Sequence, residues 1–176
     1  MLSDRPVLID TCTLINLEAS GESRLLLPAI SHTCFLCEAV SRESLFLRSP
    51  VRDQPPQKIE LQPYFDDGLL VVCQTQSPEE EAMYVALAAE LDDGEALSLA
   101  ISSIRGFGLA TDDRKARRIA TEIGTVPLFS TAEILQSVES LGPQKIADMI
   151  RSIEFRGRFT PHPTMPLSDW WNTSRL

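Results

Sequence analysis

Short apolar runs alternate along the chain with stretches in which apolar side chains recur at helical spacing. The apolar runs have the length and composition of buried parallel strands, which are predicted over 6–10, 69–72, 108–111 and 126–129. Helical spacing predicts helices over 11–20, 22–30, 32–47, 78–91, 96–104, 114–123, 131–141 and 143–154. Strands that alternate with helices in this way predict an α/β layer fold with a mostly parallel sheet.

Three other segments carry signals of their own. Residues 77–80 place serine at an N-cap, proline at the first helical position and glutamate at the third, which predicts a helix start. Four prolines between residues 48 and 67 predict an irregular connection. From residue 155 onward the chain has three prolines and no periodicity. We therefore expect one domain over 1–154, followed by an extended C-terminal tail over 155–176.

The charge of the chain is unevenly distributed. Among its 176 residues, 25 are acidic and 16 are basic, which gives a net charge of −9. Residues 1–100 contain 17 of the acids and 6 of the bases, whereas residues 101–176 contain 8 and 10. This is either an ordinary solvated surface or a chain that gathers carboxylates at one site and places basic groups elsewhere. Composition alone leaves both interpretations open.

Neither a membrane anchor nor a secretion signal is expected. No apolar run approaches the roughly 20 residues that a bilayer-spanning helix needs, and the N-terminus lacks a basic segment followed by an apolar one. We therefore expect a cytoplasmic protein without a membrane partner. Its four cysteines are accordingly expected to be reduced thiols.

Cys34 and Cys37 have the local spacing of half a zinc site or of a redox pair, with His32 just upstream. The second half of a structural zinc site is missing, although another cysteine of the chain could complete one. Both residues lie in the apolar part of the helix predicted over 32–47, where free thiols behave as small hydrophobic side chains. This packing role is favoured over zinc.

Carboxylates stand where strands end and helices begin. Asp10 ends the first predicted strand, and Asp112 and Asp113 directly follow the third. Glu95 lies in the first turn of a buried helix, and Glu38 lies on an otherwise apolar helical face. Because functional groups gather at the carboxyl ends of the strands in open parallel sheets, these acids are candidates for one common site.

Clustered carboxylates without counter-ions raise one another's pKa and destabilise the fold, and a divalent cation removes that conflict. Carboxylate oxygens suit magnesium or manganese better than zinc, and such a site supports phosphodiester hydrolysis. Each acid also has a simpler interpretation. Asp10 and one of the Asp112–Asp113 pair could cap the helices that follow them, and Glu38 could be exposed if its helix is turned differently.

Four segments together resemble the PIN-domain family, and within it the toxin ribonucleases of the VapBC type. They are Val7-Leu-Ile-Asp-Thr-Cys-Thr-Leu-Ile15, Glu38, Asp93-Gly-Glu-Ala-Leu-Ser-Leu-Ala100 and Leu109-Ala-Thr-Asp-Asp-Arg-Lys-Ala-Arg117. The resemblance covers about residues 6–130. It implies a PIN-like three-layer α/β/α fold with a small, mostly parallel central sheet, and an acidic pocket that binds Mg²⁺ or Mn²⁺.

The resemblance also implies roles for individual residues. The metal-binding and catalytic acids would be Asp10, Glu38, Glu95 and either Asp112 or Asp113. The usual threonine-x-aspartate spacing selects Asp113, but the doublet leaves the choice open. Thr11 is the hydroxyl that accompanies the first acid. The basic residues that follow the last acid are candidates for RNA binding, or else form a solvated helix face: Arg114, Lys115, Arg117 and Arg118.

These expectations define a metal-dependent endoribonuclease, the toxin of a toxin–antitoxin pair, with RNA as its substrate. A small antitoxin protein and a homodimeric state follow from the resemblance alone. The alternative is a non-catalytic PIN-fold module that binds RNA or protein without cutting. An enzyme that uses Asp10 as a phosphate-accepting nucleophile is disfavoured, because Cys12 occupies the position where one such family needs a second aspartate.

Overall fold

Five parallel strands form the central sheet of the protein. The structure is a computed structural model that describes residues 1–43, 45–49, 51 and 53–176. Its strands are β1 (Val7–Ile9), β2 (Cys34–Cys37), β3 (Phe46–Leu47), β4 (Gln57–Lys58), β5 (Leu70–Cys73), β6 (Gly108–Ala110) and β7 (Leu128–Phe129). The sheet has the order β5-β2-β1-β6-β7, and β3 and β4 form a separate antiparallel pair.

Helices connect these strands and flank the sheet. In the described residues they are α1 (Thr11–Ser20), α2 (Ser23–Ile30), α3 (Glu38–Ser41), α4 (Gln62–Asp66), α5 (Pro78–Leu87), α6 (Asp93–Arg105), α7 (Arg114–Ile123), α8 (Thr131–Gln136), α9 (Pro143–Ser152) and α10 (Ser168–Ser174). A 3₁₀ turn covers Glu139–Leu141, and a π-helical turn at Ile153–Gly157 extends α9. None of these helices combines the length and the apolar composition that crossing a membrane requires.

The predicted α/β fold is confirmed, and its centre is the middle strand β1. Val7, Leu8 and Ile9 have no solvent-exposed surface, which explains why this strand is apolar at every position rather than at alternate ones. All four predicted strands are present, with ends that differ by at most two residues. The helix α7 has the predicted bounds, because Asp113 caps its start and Gly124, in the left-handed conformation at φ 78°, ends it.

The helix predicted over 32–47 is wrong. Residues Cys34–Cys37 form β2, which pairs with β1 on one side and β5 on the other, and only the single turn of α3 follows. A short apolar run suits a buried strand and a buried helix equally well, and here the neighbouring strands decide. Ser44, in the same predicted helix, and Pro50 and Arg52, in the predicted connection, lie outside the described residues.

The strand geometry also separates the two cysteines proposed as half of a zinc site. Side chains three residues apart in a strand point to opposite faces of the sheet. The Cys34 thiol lies 3.4 Å from the Leu27 carbonyl oxygen, and the Cys37 thiol lies 3.7 Å from that of Gly94. Both thiols are free and buried, as the packing interpretation expects.

The segment after residue 155 contains a helix where an extended tail was expected. Trp171 of α10 is fully buried, and its indole Nε1 donates a hydrogen bond to Glu154 at 3.0 Å. The Phe159 ring meets the Trp171 ring edge-on at 5.7 Å. The side chain of Trp171, rather than any periodicity of the segment, fixes these residues against α9 and the π-helical turn.

Candidate active site

Asp10 lies at the carboxyl edge of the sheet, where β1 and β6 end side by side. The register pairs Ile9 with Ala110, so that the next residues, Asp10 and Thr111, are also neighbours. The Asp10 carboxylate accepts hydrogen bonds from the Thr111 hydroxyl at 2.9 Å and from the Thr11 backbone N–H at 2.8 Å. Its side chain is nearly inaccessible to water, and this burial raises the pKa of Asp10 despite those bonds.

Glu95 is held at the first turn of α6, opposite the end of β6. Asp92 caps this helix by accepting a hydrogen bond from the Glu95 N–H at 2.9 Å. The pKa of Glu95 is raised to about 7, first by burial and then by the negative charges of Asp113, Asp92 and Asp10. These four carboxyl groups therefore share one electrostatic environment.

A fifth carboxylate, that of Glu43, belongs to the same environment and was missed in the sequence. The Thr11 hydroxyl donates a hydrogen bond to Glu43 at 3.1 Å. Burial raises the pKa of Glu43, and the charges of Asp92 and Asp10 raise it further. A Cβ atom on Gly94 would lie 3.3 Å from the Glu43 carboxylate, so the glycine keeps this approach open. We call the five acids the acidic cluster: Asp10, Glu43, Asp92, Glu95 and Asp113.

Glu38 follows β2 directly, as its position in the sequence suggested, but its carboxylate forms a salt bridge with Arg42 on the next turn. Within the described part of the chain, that pairing gives Glu38 a counter-ion, and no acid of the acidic cluster has one. Glu43 lies five residues later and would have been a candidate if the short strand and single-turn helix had been recognised. The helix predicted over 32–47 instead treated this whole segment as one continuous helix.

The two adjacent aspartates occupy different environments. Asp113 caps α7 through one carboxylate oxygen, which accepts hydrogen bonds from the N–H groups of Lys115 and Ala116, both at 2.8 Å. Asp112 is buried and accepts hydrogen bonds from Asn16 and from the Thr131 N–H, both at 3.0 Å, and from the Thr131 hydroxyl. Burial raises the pKa of Asp112. Of these two aspartates, Asp113 is the one whose negative charge raises the pKa of Glu95.

The basic residues of α7 are mostly engaged within the protein. Lys115 donates to the Glu90 carbonyl oxygen, and Arg118 pairs with Glu122 at 2.7 Å. Arg117, whose side chain is only 13 % exposed, donates to the Thr111 carbonyl oxygen at 3.0 Å. Within the described residues, Arg114 has no hydrogen-bond or ion-pair partner. It is therefore the member of the predicted RNA-binding set that is free to bind an anion.

The donor set fits a hard divalent cation in its chemistry. The acidic cluster supplies only carboxylate oxygens, which Mg²⁺ and Mn²⁺ prefer. Burial first, and then the negative charges of neighbouring acids, raise the pKa of Asp10, Glu43 and Glu95. Among the side chains that the structure describes, however, no three acidic, histidine or cysteine groups already converge on one ion position. The residues of the acidic cluster therefore fit a divalent cation in the type of their donor atoms and in their negative charge.

A family model described as "DUF3368: PIN domain" matches residues 6–162, which is most of the chain and includes every member of the acidic cluster. Searches of curated proteins and of solved structures found no match.

Proposed function

The chain belongs to the PIN-domain family, a nuclease-type fold, and we propose that it is a metal-dependent endoribonuclease that hydrolyses phosphodiester bonds in RNA. The observation that carries this proposal is the acidic cluster at the carboxyl edge of the sheet. Burial and mutual repulsion raise the pKa of Glu95 to about 7. Strongly perturbed carboxyl groups that lack a compensating cation are characteristic of functional sites.

Four carboxylates of the cluster would hold Mg²⁺ or Mn²⁺, namely those of Asp10, Glu43, Glu95 and Asp113. A bound cation of this kind supplies stabilisation of the negative charge on a phosphate and activation of a water molecule. Thr11 orients the Glu43 carboxylate through its hydroxyl. Arg114 would bind an RNA phosphate next to the last acid of the cluster.

In this proposal Glu43 takes the role first assigned to Glu38, and Asp113 is preferred to Asp112. Glu43 is coupled to Asp10 and Asp92, whereas Glu38 already has Arg42 as its counter-ion. The hydrogen bonds of Asp112 with Asn16 and Thr131 instead tie the end of β6 to α1 and α8. Asp112 is therefore assigned a positioning role.

The test is cleavage of single-stranded RNA in the presence of Mn²⁺ by the wild type and by two matched variants, Glu43→Gln and Glu38→Gln. We expect the wild type to cut, Glu43→Gln to lose cleavage by about 100-fold or more, and Glu38→Gln to retain it. Loss confined to Glu38→Gln would reverse the assignment of the second acid. RNA binding without any Mn²⁺-dependent cleavage would favour the non-catalytic alternative.

We also propose that the protein acts in the cytoplasm as the toxin of a toxin–antitoxin pair, as a homodimer that a small antitoxin protein inhibits. The resemblance to toxin ribonucleases supports this proposal. Growth arrest on expression of the wild type, but not of Glu43→Gln, together with relief by a small protein encoded beside it, is the expected result. The mass of the purified protein from light scattering tests the dimer.

A further inference from the structure

A pocket with a positive lining lies beside α1. It is formed by β3 and the loop after it, by the π-helical turn and by Ile15 of α1, and has a volume of about 440 Å³. This size is within the range of small-ligand sites. Three of its lining residues are arginines, and none of the described residues that line it is acidic. We call it the arginine pocket: Ile15, Phe46, Arg48, Ser49, Arg156 and Arg158.

The arginines of this pocket are not neutralised by carboxylates. In the part of the chain that the structure describes, Arg48, Arg156 and Arg158 form no ion pair with an aspartate or glutamate. Arg48 stacks over the Phe155 ring at 4.6 Å, and one terminal nitrogen of Arg156 donates to Gln57 at 3.1 Å. The Nε atom of Arg156 is buried and has no hydrogen-bond partner among the described residues, so a donor remains unsatisfied there at the pocket wall.

The arginine pocket is fixed in position relative to the acidic cluster. Ile15 lies one turn of α1 after Thr11, which is about 6 Å along the helix axis. The π-helical turn that carries Arg156 is packed on the same helix, because a Cβ atom on Gly157 would lie 3.1 Å from both Ala19 and Asn16. The backbone N–H of Arg48 donates to the Arg156 carbonyl oxygen at 3.0 Å and joins the two walls.

Phe46 adds an aromatic surface to this positive pocket. Its side chain is 51 % exposed although it is large and apolar, and it lines the pocket beside the arginines. Guanidinium groups that bind phosphate and an exposed ring on which a base can stack are the chemistry of single-stranded nucleic-acid recognition. A duplex keeps its bases stacked inside and cannot use such a ring.

We propose that the arginine pocket binds one nucleotide of a single-stranded RNA, with Arg48 and Arg158 at its phosphate and Phe46 against its base, next to the acidic cluster. This inference rests on the proposed function, whose substrate it narrows to unpaired RNA. It also assigns a phosphate-binding site made of residues other than Arg114.

The test measures the binding of a short fluorescent oligo(U), and of the matching oligo(A)·oligo(U) duplex, by anisotropy in EDTA, so that no cleavage occurs. We expect the Arg48→Gln/Arg158→Gln double variant to bind oligo(U) at least about tenfold more weakly than the wild type. The slope of log K against log salt should fall by about 0.7, since the two arginines are placed on one phosphate and each lost phosphate contact with a single strand contributes about 0.7. Phe46→Leu should weaken oligo(U) binding about fivefold or more and leave duplex binding unchanged.

The matched control is Arg5→Gln/Arg151→Gln, which removes the same charge from two arginines outside the pocket and should leave oligo(U) affinity nearly unchanged. Equal losses in the control and in the pocket variant would overturn the proposal, because they would indicate a non-specific effect of net charge. Equal losses of oligo(U) and duplex affinity would overturn it too. Because binding is measured without metal, it stays separate from the cleavage test: intact pocket-dependent binding without cleavage would refute the endoribonuclease and leave the pocket supported.

Discussion

In two regions of the molecule, the pKa values of carboxyl groups are shifted in opposite directions. Glu80 of α5 has a side chain that is 3 % exposed and is clamped by Arg105, whose Nε and Nη2 atoms lie 2.6 and 2.8 Å from its two oxygens. The hydrogen bonds from Arg105 lower the pKa of Glu80 despite its burial. At the carboxyl edge of the sheet, burial raises the pKa of Asp10, Glu43 and Glu95.

The chain therefore supplies an internal counter-ion to a buried acid where the acid joins two elements of the fold. Arg105, at the end of α6, has hydrogen bonds to both Glu80 and the Gln74 carbonyl oxygen, so it fastens α5 and the end of β5 to α6. Among the residues that the structure describes, Glu95, at the other end of the same helix, has no such partner. Under the proposed function, this end of α6 is where an external cation would bind.

The largest expected effect is the loss of the internal counter-ion. Arg105→Ala should lower the free energy of unfolding by about 3–5 kcal/mol, because it leaves the buried Glu80 carboxylate unpaired. Urea denaturation monitored by circular dichroism measures this change. The control is Lys58→Ala, which breaks an exposed pair with Glu60 and should cause little change. A similar small loss for both variants would mean that Glu80 is no better stabilised than a surface acid.

The next effect should fall on activity and spare stability. Glu95→Gln removes one carboxylate of the acidic cluster, and we expect it to reduce Mn²⁺-dependent RNA cleavage by about 100-fold. Its free energy of unfolding should equal or exceed that of the wild type, since one repelling charge is gone. Cleavage rates and urea midpoints of the two proteins give both quantities. A variant that is destabilised and still cleaves would erase the distinction between the two regions.

The parts of the fold that the sequence predicts are those with local signals. Asp113 and Gly124 mark both ends of α7, and the apolar residues of β1 are buried on both faces of the sheet. The strand β2 was not predicted, because nothing within Cys34–Cys37 distinguishes a buried strand from a helix. Only pairing with β1 and β5 determines its conformation.

In the candidate site, too, the residues that could be predicted are those with local signals in the sequence. Asp10, Glu95 and Asp113 stand directly at the start of helices, so their positions could be read from cap and strand-end patterns. Glu43 reaches the acidic cluster through a hydrogen bond with Thr11, 32 residues away in the chain. The arginine pocket joins residues near 48 and 156 across a larger separation. Such contacts depend on the tertiary packing of α1 and leave no local pattern.

A smaller effect should appear in the pH dependence of stability, with opposite signs for the two regions. The folded-state pKa of Glu95, about 7, is above its ordinary value of 4.5. The folded protein therefore retains this proton where the unfolded chain has lost it, and the contribution of Glu95 to stability falls as the pH rises from about 4.5 to 7. The pKa of Glu80 is lowered, so its contribution is present above 4.5 and is lost as the pH falls through the folded-state value.

Urea unfolding in EDTA should show the Glu95 contribution directly. Relative to the wild type, Glu95→Gln should gain about 1–2 kcal/mol of stability between pH 4.5 and 7, a value reduced for partial solvent screening. The comparison is internal, because the pH dependence of Glu80 and of all other groups is common to both proteins. A constant difference across this range would show that Glu95 titrates alike in the folded and unfolded states.

The smallest effect concerns the cation itself and separates the two regions without any catalytic assay. Mn²⁺ at ten times its dissociation constant should stabilise the wild type by about 1.4 kcal/mol, or a few degrees in Tm, because under the proposed function only the folded acidic cluster would bind it. Glu95→Gln should lose most of this gain, whereas Lys58→Ala should retain it. Thermal melts in EDTA and in a Mn²⁺ series measure both. If Mn²⁺ stabilised Glu95→Gln as much as the wild type, the ion would bind outside the acidic cluster, because removal of a cluster carboxylate would not have weakened its binding.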